Sequence, residues 1–324
     1  MTDTPRPERT RAILMLVLAT LYWGVSFPIT KTVAAMGHAF VPDASSWFLS
    51  AMAVAPRFAL AAFLVLIFRS KVDRNPTAPE IRQGLLIAFF GAAGALLQAD
   101  GIQFTSSSTS AFLTQLSAIL IPAWLALRRW RSPGAVVWIC SGLVLAGVAV
   151  LSHVDWHNLR LGRGESETIL CAVFFVGQIL TLEQGTFMGN RAGVVTLVMF
   201  AAEGAAFLML AAATAPRPEA LLAPWRSGFW VVLTLVLTVV CTVGAFSIMN
   251  KWQPRITATE AGLIYCVEPL ATAVFVLFIP AWLSRWSGID YPNETATRSL
   301  IGGGGLITLA NVIVLTRKQP KKAV

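Results

Sequence analysis

The stretch TATEAGLIYCVEPLATAVFVLF, residues 257–278, is apolar enough to cross a bilayer, yet Glu268 and Pro269 stand side by side near its centre. A carboxylate in such a run is costly and tends to face a polar interior, where it can alternate between its charged and neutral forms. Glu268 is therefore a candidate proton-coupling group. The plainer alternative is that it anchors backbone freed by Pro269, which cannot donate the helical hydrogen bond and clashes with the carbonyl of Tyr265. Three more ionisable residues interrupt long apolar runs: Lys31, Arg57 and Glu203. Arg57 could hold a carboxylate substrate in a bidentate fork, or pair with an acid and lock two helices together. Glu203 is a second proton-coupling candidate, although its run is rich in Ala and other small residues that suggest close packing. Lys31 lies nearer the end of its run, where a long side chain can snorkel to the interface.

Polar residues accompany these charges. Trp23, Ser26, Gln98, Thr114, Gln115, Gln178 and Tyr265 sit at depths from which they could contact a solute, with Lys31 and Arg57 completing a substrate pathway. Trp23 and Tyr265 could stack on an apolar or cationic group while offering a polar tip. Prolines recur where a moving helix needs weak points: Pro28, Pro122, Pro269 and Pro280. Broken helices are tolerated in membranes where they line a cavity or are covered by neighbours.

Other chemistries find little footing. The four cysteines, Cys140, Cys171, Cys241 and Cys266, all fall in apolar runs, where small packing residues are a better reading than disulfides. His153, Asp155 and His157 alternate in a polar loop, a weak metal pattern. No metal site and no cofactor is expected. No Gly-x4-Gly-Lys-Ser/Thr loop for nucleotide phosphates occurs. An enzyme acting on lipid or prenyl chains would need clustered acids, histidines or metal ligands near a membrane surface. Only the modest group Glu183, Gln184, Asn190 and Arg191 comes near one.

Composition names the solvent that must position these residues. The 324 residues are 56% hydrophobic and 13% charged, with mean hydropathy +0.68. A water-soluble domain carries about twice that charged fraction, so lipid must cover this chain. At about 20 residues per crossing, the apolar runs predict an all-α polytopic protein of ten transmembrane helices. They lie near 12–35, 46–68, 80–101, 107–128, 133–152, 166–187, 192–214, 228–250, 257–283 and 298–316. The first run resembles a secretory signal, but it extends to a full span with no small-x-small cleavage site at its end, and it reads as a retained helix.

Basic residues test the count. With the N-terminus inside, the cytoplasmic segments hold Arg6, Arg9, Arg11, Arg69, Lys71, Arg74, Arg82, Arg128, Arg129, Arg131, Arg191, Lys251, Arg255, Arg317, Lys318, Lys321 and Lys322. The opposite side holds only Arg160, Arg163, Arg217, Arg226, Arg285 and Arg298. Such a bias fits ten helices with both termini cytoplasmic. It also accounts for the net charge of +9 without nucleic acid as a partner.

The chain repeats itself. Offset by 150, QFTSSSTSAFL (103–113) matches QPRITATEAGL (253–263) at Gln103/Gln253, Thr109/Thr259, Ala111/Ala261 and Leu113/Leu263. Offset by 163, SGLVLAGVAVL (141–151) runs against GGLITLANVIV (304–314). Two halves, 1–155 and 156–324, then hold five helices each, and an odd number inverts the second against the first. Inverted repeats typify secondary transporters, with the site between the halves near the midplane. The glycines of SGLVLAG and IGGGGLI either pack against each other or form a homodimer seam.

With these features in place, the chain resembles the drug/metabolite transporter superfamily, in particular its bacterial EamA-type ten-helix carriers. The resemblance rests on YWGVSFPITK (22–31), PRFALAAF (56–63), FTSSSTSAFLTQLSAILIP (104–122), TATEAGLIYCVEPLATAVF (257–275) and the Gly-rich fifth and tenth helices, in that order. It implies export or exchange of small metabolites, such as amino acids, across the inner membrane without ATP. The segment AFVPDASSWFLS departs from the family by making the first connection longer and more polar.

Overall fold

A computed structural model of the chain describes residues 6–68, 75–129, 134–151 and 162–295, with 298, 302–303, 305–307, 309–310 and 313. Every regular element among them is helical. His153, Asp155 and His157 lie outside the described residues.

Among the described residues, six helices are long and apolar enough to cross a membrane. They are α1 (Arg6–Phe40), α2 (Ser46–Phe68), α3 (Ala78–Phe104), α7 (Arg163–Leu182), α8 (Ala192–Thr214) and the run Gly228–Arg255. That last run begins as α9 (Gly228–Val236), widens to a π-helical segment over Leu237–Gly244 and continues as α10 (Ala245–Trp252). The polar first connection is short, because α1 reaches Phe40 and leaves five residues before α2.

The predicted fourth and ninth helices are broken. The fourth is α4 (Ser107–Thr114) followed by α5 (Ser117–Arg129). The ninth is α11 (Ala258–Tyr265), α12 (Val267–Phe275) and α13 (Ile279–Ser287), with a 60° bend before α13. At the offset of 150, the break after Thr114 falls opposite the break after Tyr265 to within one residue. Between them in sequence lies the apolar helix α6 (Ala135–Leu151).

The prolines act differently from expectation. Pro28 and Pro122 do not interrupt α1 and α5, because neighbouring hydroxyls take up the carbonyls they free. Thr272 Oγ1 donates to the Gly24 carbonyl, four residues before Pro28, and Ser141 Oγ donates to the Ala118 carbonyl, four before Pro122. Pro269 is the third residue of α12, just past the break, and Pro280 starts α13 instead of kinking it.

Close crossings bind the bundle. A Cβ on Gly24 would lie 2.7 Å from Ala271 Cβ, so α1 and α12 touch backbone to backbone there. One on Gly204 of α8 would lie 2.9 Å from the Ala59 nitrogen of α2, and one on Gly147 of α6 would lie 2.7 Å from the Gly303 carbonyl. The Gly-rich fifth and tenth helices therefore meet within the chain.

Ion pairs mark the two ends of the bundle. At the end bearing the start of α1, Arg9 pairs with Glu260 at 2.6 Å, Glu8 with Arg255 at 2.7 Å and Glu80 with Arg191 at 2.7 Å. Glu80 and Glu260 each also accept from the backbone N–H of Thr77 or Thr257, so two capping boxes serve as interhelical clamps. At the far end, Arg163 pairs with buried Asp100 and Arg217 with Asp43 at 2.6 Å.

Candidate transport site

Between those ends lies a cavity of about 80 Å³, room for a few waters or part of a small solute. Trp23, Ser26, Arg57, Gln98, Thr114, Gln115, Gln178, Tyr265 and Glu268 all line it. Eight of the nine expected pathway residues thus converge on one chamber, from α1, α2, α3, the α4–α5 break, α7 and α11, with Glu268 arriving on α12. Phe58, Phe175, Phe246 and Met249 supply apolar wall. The second and third helices and α10 therefore contribute, beyond the proline-bearing helices and the sixth.

Each polar side chain is held by a named neighbour. Arg57 Nε donates to Thr242 Oγ1 at 2.7 Å, and Thr242 in turn donates to the Leu237 carbonyl inside the π-helical segment. A π-bulge exposes such backbone groups and often marks a functional site. No ion pair to Arg57 forms among the described residues, so its charge stands free for an anionic group entering the cavity.

Tyr265 Oη donates to Gln253 Oε1 at 2.7 Å, and Gln253 Nε2 donates to the Ile179 carbonyl at 2.9 Å. That chain aims the Tyr265 ring, which meets the Trp23 ring edge-on at 5.4 Å between centroids. Trp23 meets Phe246 in the same way at 5.3 Å. Gln98 Nε2 donates to Thr114 Oγ1 at 3.3 Å, tying α3 to the end of α4. Glu268 lies against the Gln115 amide. Trp23 Nε1, Gln115 Oε1 and Gln178 Nε2 are buried without a hydrogen-bond partner, two donors and one acceptor at the cavity wall.

Two expected residues lie elsewhere. Lys31 misses the cavity: its Nζ donates to the Thr105 carbonyl at 2.8 Å and lies 5.8 Å from the centre of the Tyr291 ring. It belongs to the closure at the far end, where the Tyr291 and Ser107 hydroxyls are 2.9 Å apart. The segment around Tyr291 is clamped by Ser284, which bonds both the N–H and the carbonyl of Tyr291. Glu203 is buried behind the wall, beside Gln178, because α8 packs against α2 and α3 rather than on the chamber.

Asp100 was not among the sequence candidates. It is wholly buried, accepts from Ser50 Oγ at 2.9 Å and pairs with Arg163, whose guanidinium lies 4.4 Å from the Phe104 ring centre. Its position at the end of an apolar run concealed it. Among the described residues, no group of three or more His, Cys, Asp or Glu could hold a metal ion.

Residues 10–153 match the EamA-like transporter family. That match spans less than half of the chain and is a likeness of its first part. The chain is 24% identical over 315 residues to an uncharacterized transporter of Archaeoglobus fulgidus, covering 96% of this chain and 87% of that one. It is 23% identical to the uncharacterized inner membrane transporter YicL of Salmonella typhimurium, covering 84% of this chain and 91% of YicL. One crystal structure of a protein superposes with TM-score 0.64 over 96% of this chain and 99% of its own. At 17% identity this likeness shows the fold alone. Its long apolar helices make this chain an integral membrane protein.

Proposed function

We propose that this chain is an EamA-type transporter, a secondary active carrier that exports or exchanges small metabolites, such as amino acids, across a bacterial inner membrane by alternating access. One observation carries the reading: an unpaired arginine, a buried glutamate and three unpartnered polar atoms share a chamber at mid-depth, with ion pairs closing both ends. Arg57 would take an anionic group, Glu268 would exchange a proton, and Trp23 with Tyr265 would hold the apolar part. Support for ten helices in two inverted halves, 1–155 and 156–324, comes from the matching breaks at Thr114 and Tyr265 and from the basic-residue bias that places both termini in the cytoplasm.

The test is accumulation of a labelled panel of amino acids and other small metabolites in proteoliposomes, with and without a pH gradient. At least one solute should accumulate through the wild type and not through Arg57→Gln. If every solute that moves does so equally through Arg57→Gln, Arg57 has no place in the pathway.

A further inference from the structure

Behind the chamber wall lies a second polar cluster. A Cβ on Gly91 would sit 2.2 Å from Glu203 Oε1 and 2.7 Å from Gln178 Nε2, so those two atoms are no more than 4.9 Å apart and a methyl there would push one or both away. Both Glu203 oxygens and Gln178 Nε2 are buried without a partner. Glu203 is 1% exposed and Gln178 3%, yet Gln178 also lines the chamber. Gln178 is therefore the wall itself, with Glu203 on one side and the solute path on the other.

An amide has two unlike ends. Its NH2 group only donates and its carbonyl only accepts, whereas a carboxyl group accepts when ionised and gains a donor when protonated. We propose that Gln178 reads the protonation of Glu203 and relays it to the chamber. When Glu203 is ionised, Gln178 donates its N–H to it and leaves its carbonyl toward the chamber. When Glu203 is protonated, its O–H donates to the Gln178 carbonyl and the NH2 group turns toward the chamber. The proton comes from hydronium in the chamber water: its O–H bond breaks as one forms on a Glu203 oxygen, water is left behind, and the reverse transfer returns the proton. The wall thereby changes from acceptor to donor as the proton moves.

The surrounding groups permit this exchange. Arg57 on α2 is the cation whose charge acts on Glu203, and Cys241 in the π-helical segment acts on Arg57. From α3, α7 and α10, Gly91, Gln178 and Phe246 bring no titrating group, while Glu268 on α12 lines the same chamber as Gln178. Only the consequence for transport rests on the chamber being the solute path; the Glu203–Gln178 exchange does not.

Infrared difference spectra of the purified protein in lipid nanodiscs, between acid and alkaline pH, test it without any solute. The wild type should show a protonated-carboxyl band paired with a glutamine side-chain amide band. Glu203→Gln should lose the carboxyl band and the amide change together. Gln178→Leu should lose the amide band and shift the carboxyl band, and Gly91→Ala, which drives the two side chains apart, should uncouple them. Should Gln178→Leu not fold, Gln178→Asn, one methylene too short to reach, should give the same loss. A spectrum with no band removed by Glu203→Gln, or a carboxyl band unmoved by the Gln178 and Gly91 variants, overturns the proposal. Transport failure with these spectra intact would instead count against the chamber as solute path.

Discussion

Arg57 and Thr242 meet at 2.7 Å, the guanidinium Nε donating to a hydroxyl that itself donates into the widened turn of the π-helical segment. A cation deep in the bundle is thus positioned by a neutral group, without a direct ion pair among the described residues. Hydrogen bonds to charged groups contribute about 1.5–3 kcal/mol. Thr242→Val should weaken solute binding by about tenfold or more while leaving the folded yield unchanged. Transport in proteoliposomes across a range of solute concentrations reads the effect, and unaltered half-saturation would show that Thr242 does not position Arg57.

Glu268→Gln keeps the shape and the contact with Gln115 but cannot release a proton. Expected is loss of accumulation driven by a pH gradient, with solute exchange and expression retained. Vesicles assayed with and without the gradient distinguish the two modes. Undiminished gradient-driven uptake removes Glu268 from coupling.

Tyr291 bars the end of the bundle opposite the start of α1, through its contacts with Ser107 and Lys31. Removing one hydroxyl contact costs about 1 kcal/mol, so Tyr291→Phe should raise several-fold the rate at which a cysteine placed at Ser26 is labelled by a membrane-impermeant thiol reagent added on that side. The four native cysteines are buried and should give little background. Burial pushes the Tyr291 phenol up to about 12 from an ordinary value of 10.0. A raised value means that the neutral contact is intact below about pH 10 and its stabilisation is lost as pH climbs from there through about 12. Labelling should accelerate over that alkaline window and stay flat between pH 6 and 9.

Two ion pairs should differ sharply in their worth. Glu80 is 3% exposed and serves both Arg191 and the start of α3, so Glu80→Ala takes the carboxylate partner from a part-buried guanidinium and removes a cap. A loss of about 3 kcal/mol is expected. The Asp43–Arg217 pair is half exposed on both sides, at 52% and 48%, and Asp43→Ala should cost less than about 1 kcal/mol. Thermal unfolding in one detergent should separate the two variants by several degrees, and equal shifts would contradict the ranking.

Much of the site was legible because membrane chemistry is unforgiving. A polar residue in an apolar run must face other protein or a cavity, and that rule alone selected Trp23, Gln98, Gln115, Gln178 and Glu268. The rule says nothing about which neighbour a charge finds. Lys31 and Glu203 met the same criterion and went elsewhere, one to the far-end closure and one behind the wall. Pro269 and Pro280 stand beside breaks, whereas Pro28 and Pro122 sit in unbroken helices because Thr272 and Ser141 from other helices satisfy the carbonyls they free. The repeat match Gln103/Gln253 held a further signal: both glutamines anchor neighbours, Gln103 bonding Ser50 at 2.8 Å and Gln253 holding Tyr265.

By itself, the sequence determined that lipid covers this chain, roughly where its helices run and which side chains lipid would refuse, because hydropathy and helical length are local properties. Tertiary structure alone decided that Thr242 rather than an acid holds Arg57, that Gly91 brings Glu203 against Gln178, and that Asp100 meets Arg163. Those pairings join residues from 25 to 185 positions apart. Such contacts depend on how whole helices cross, which no short window of sequence records.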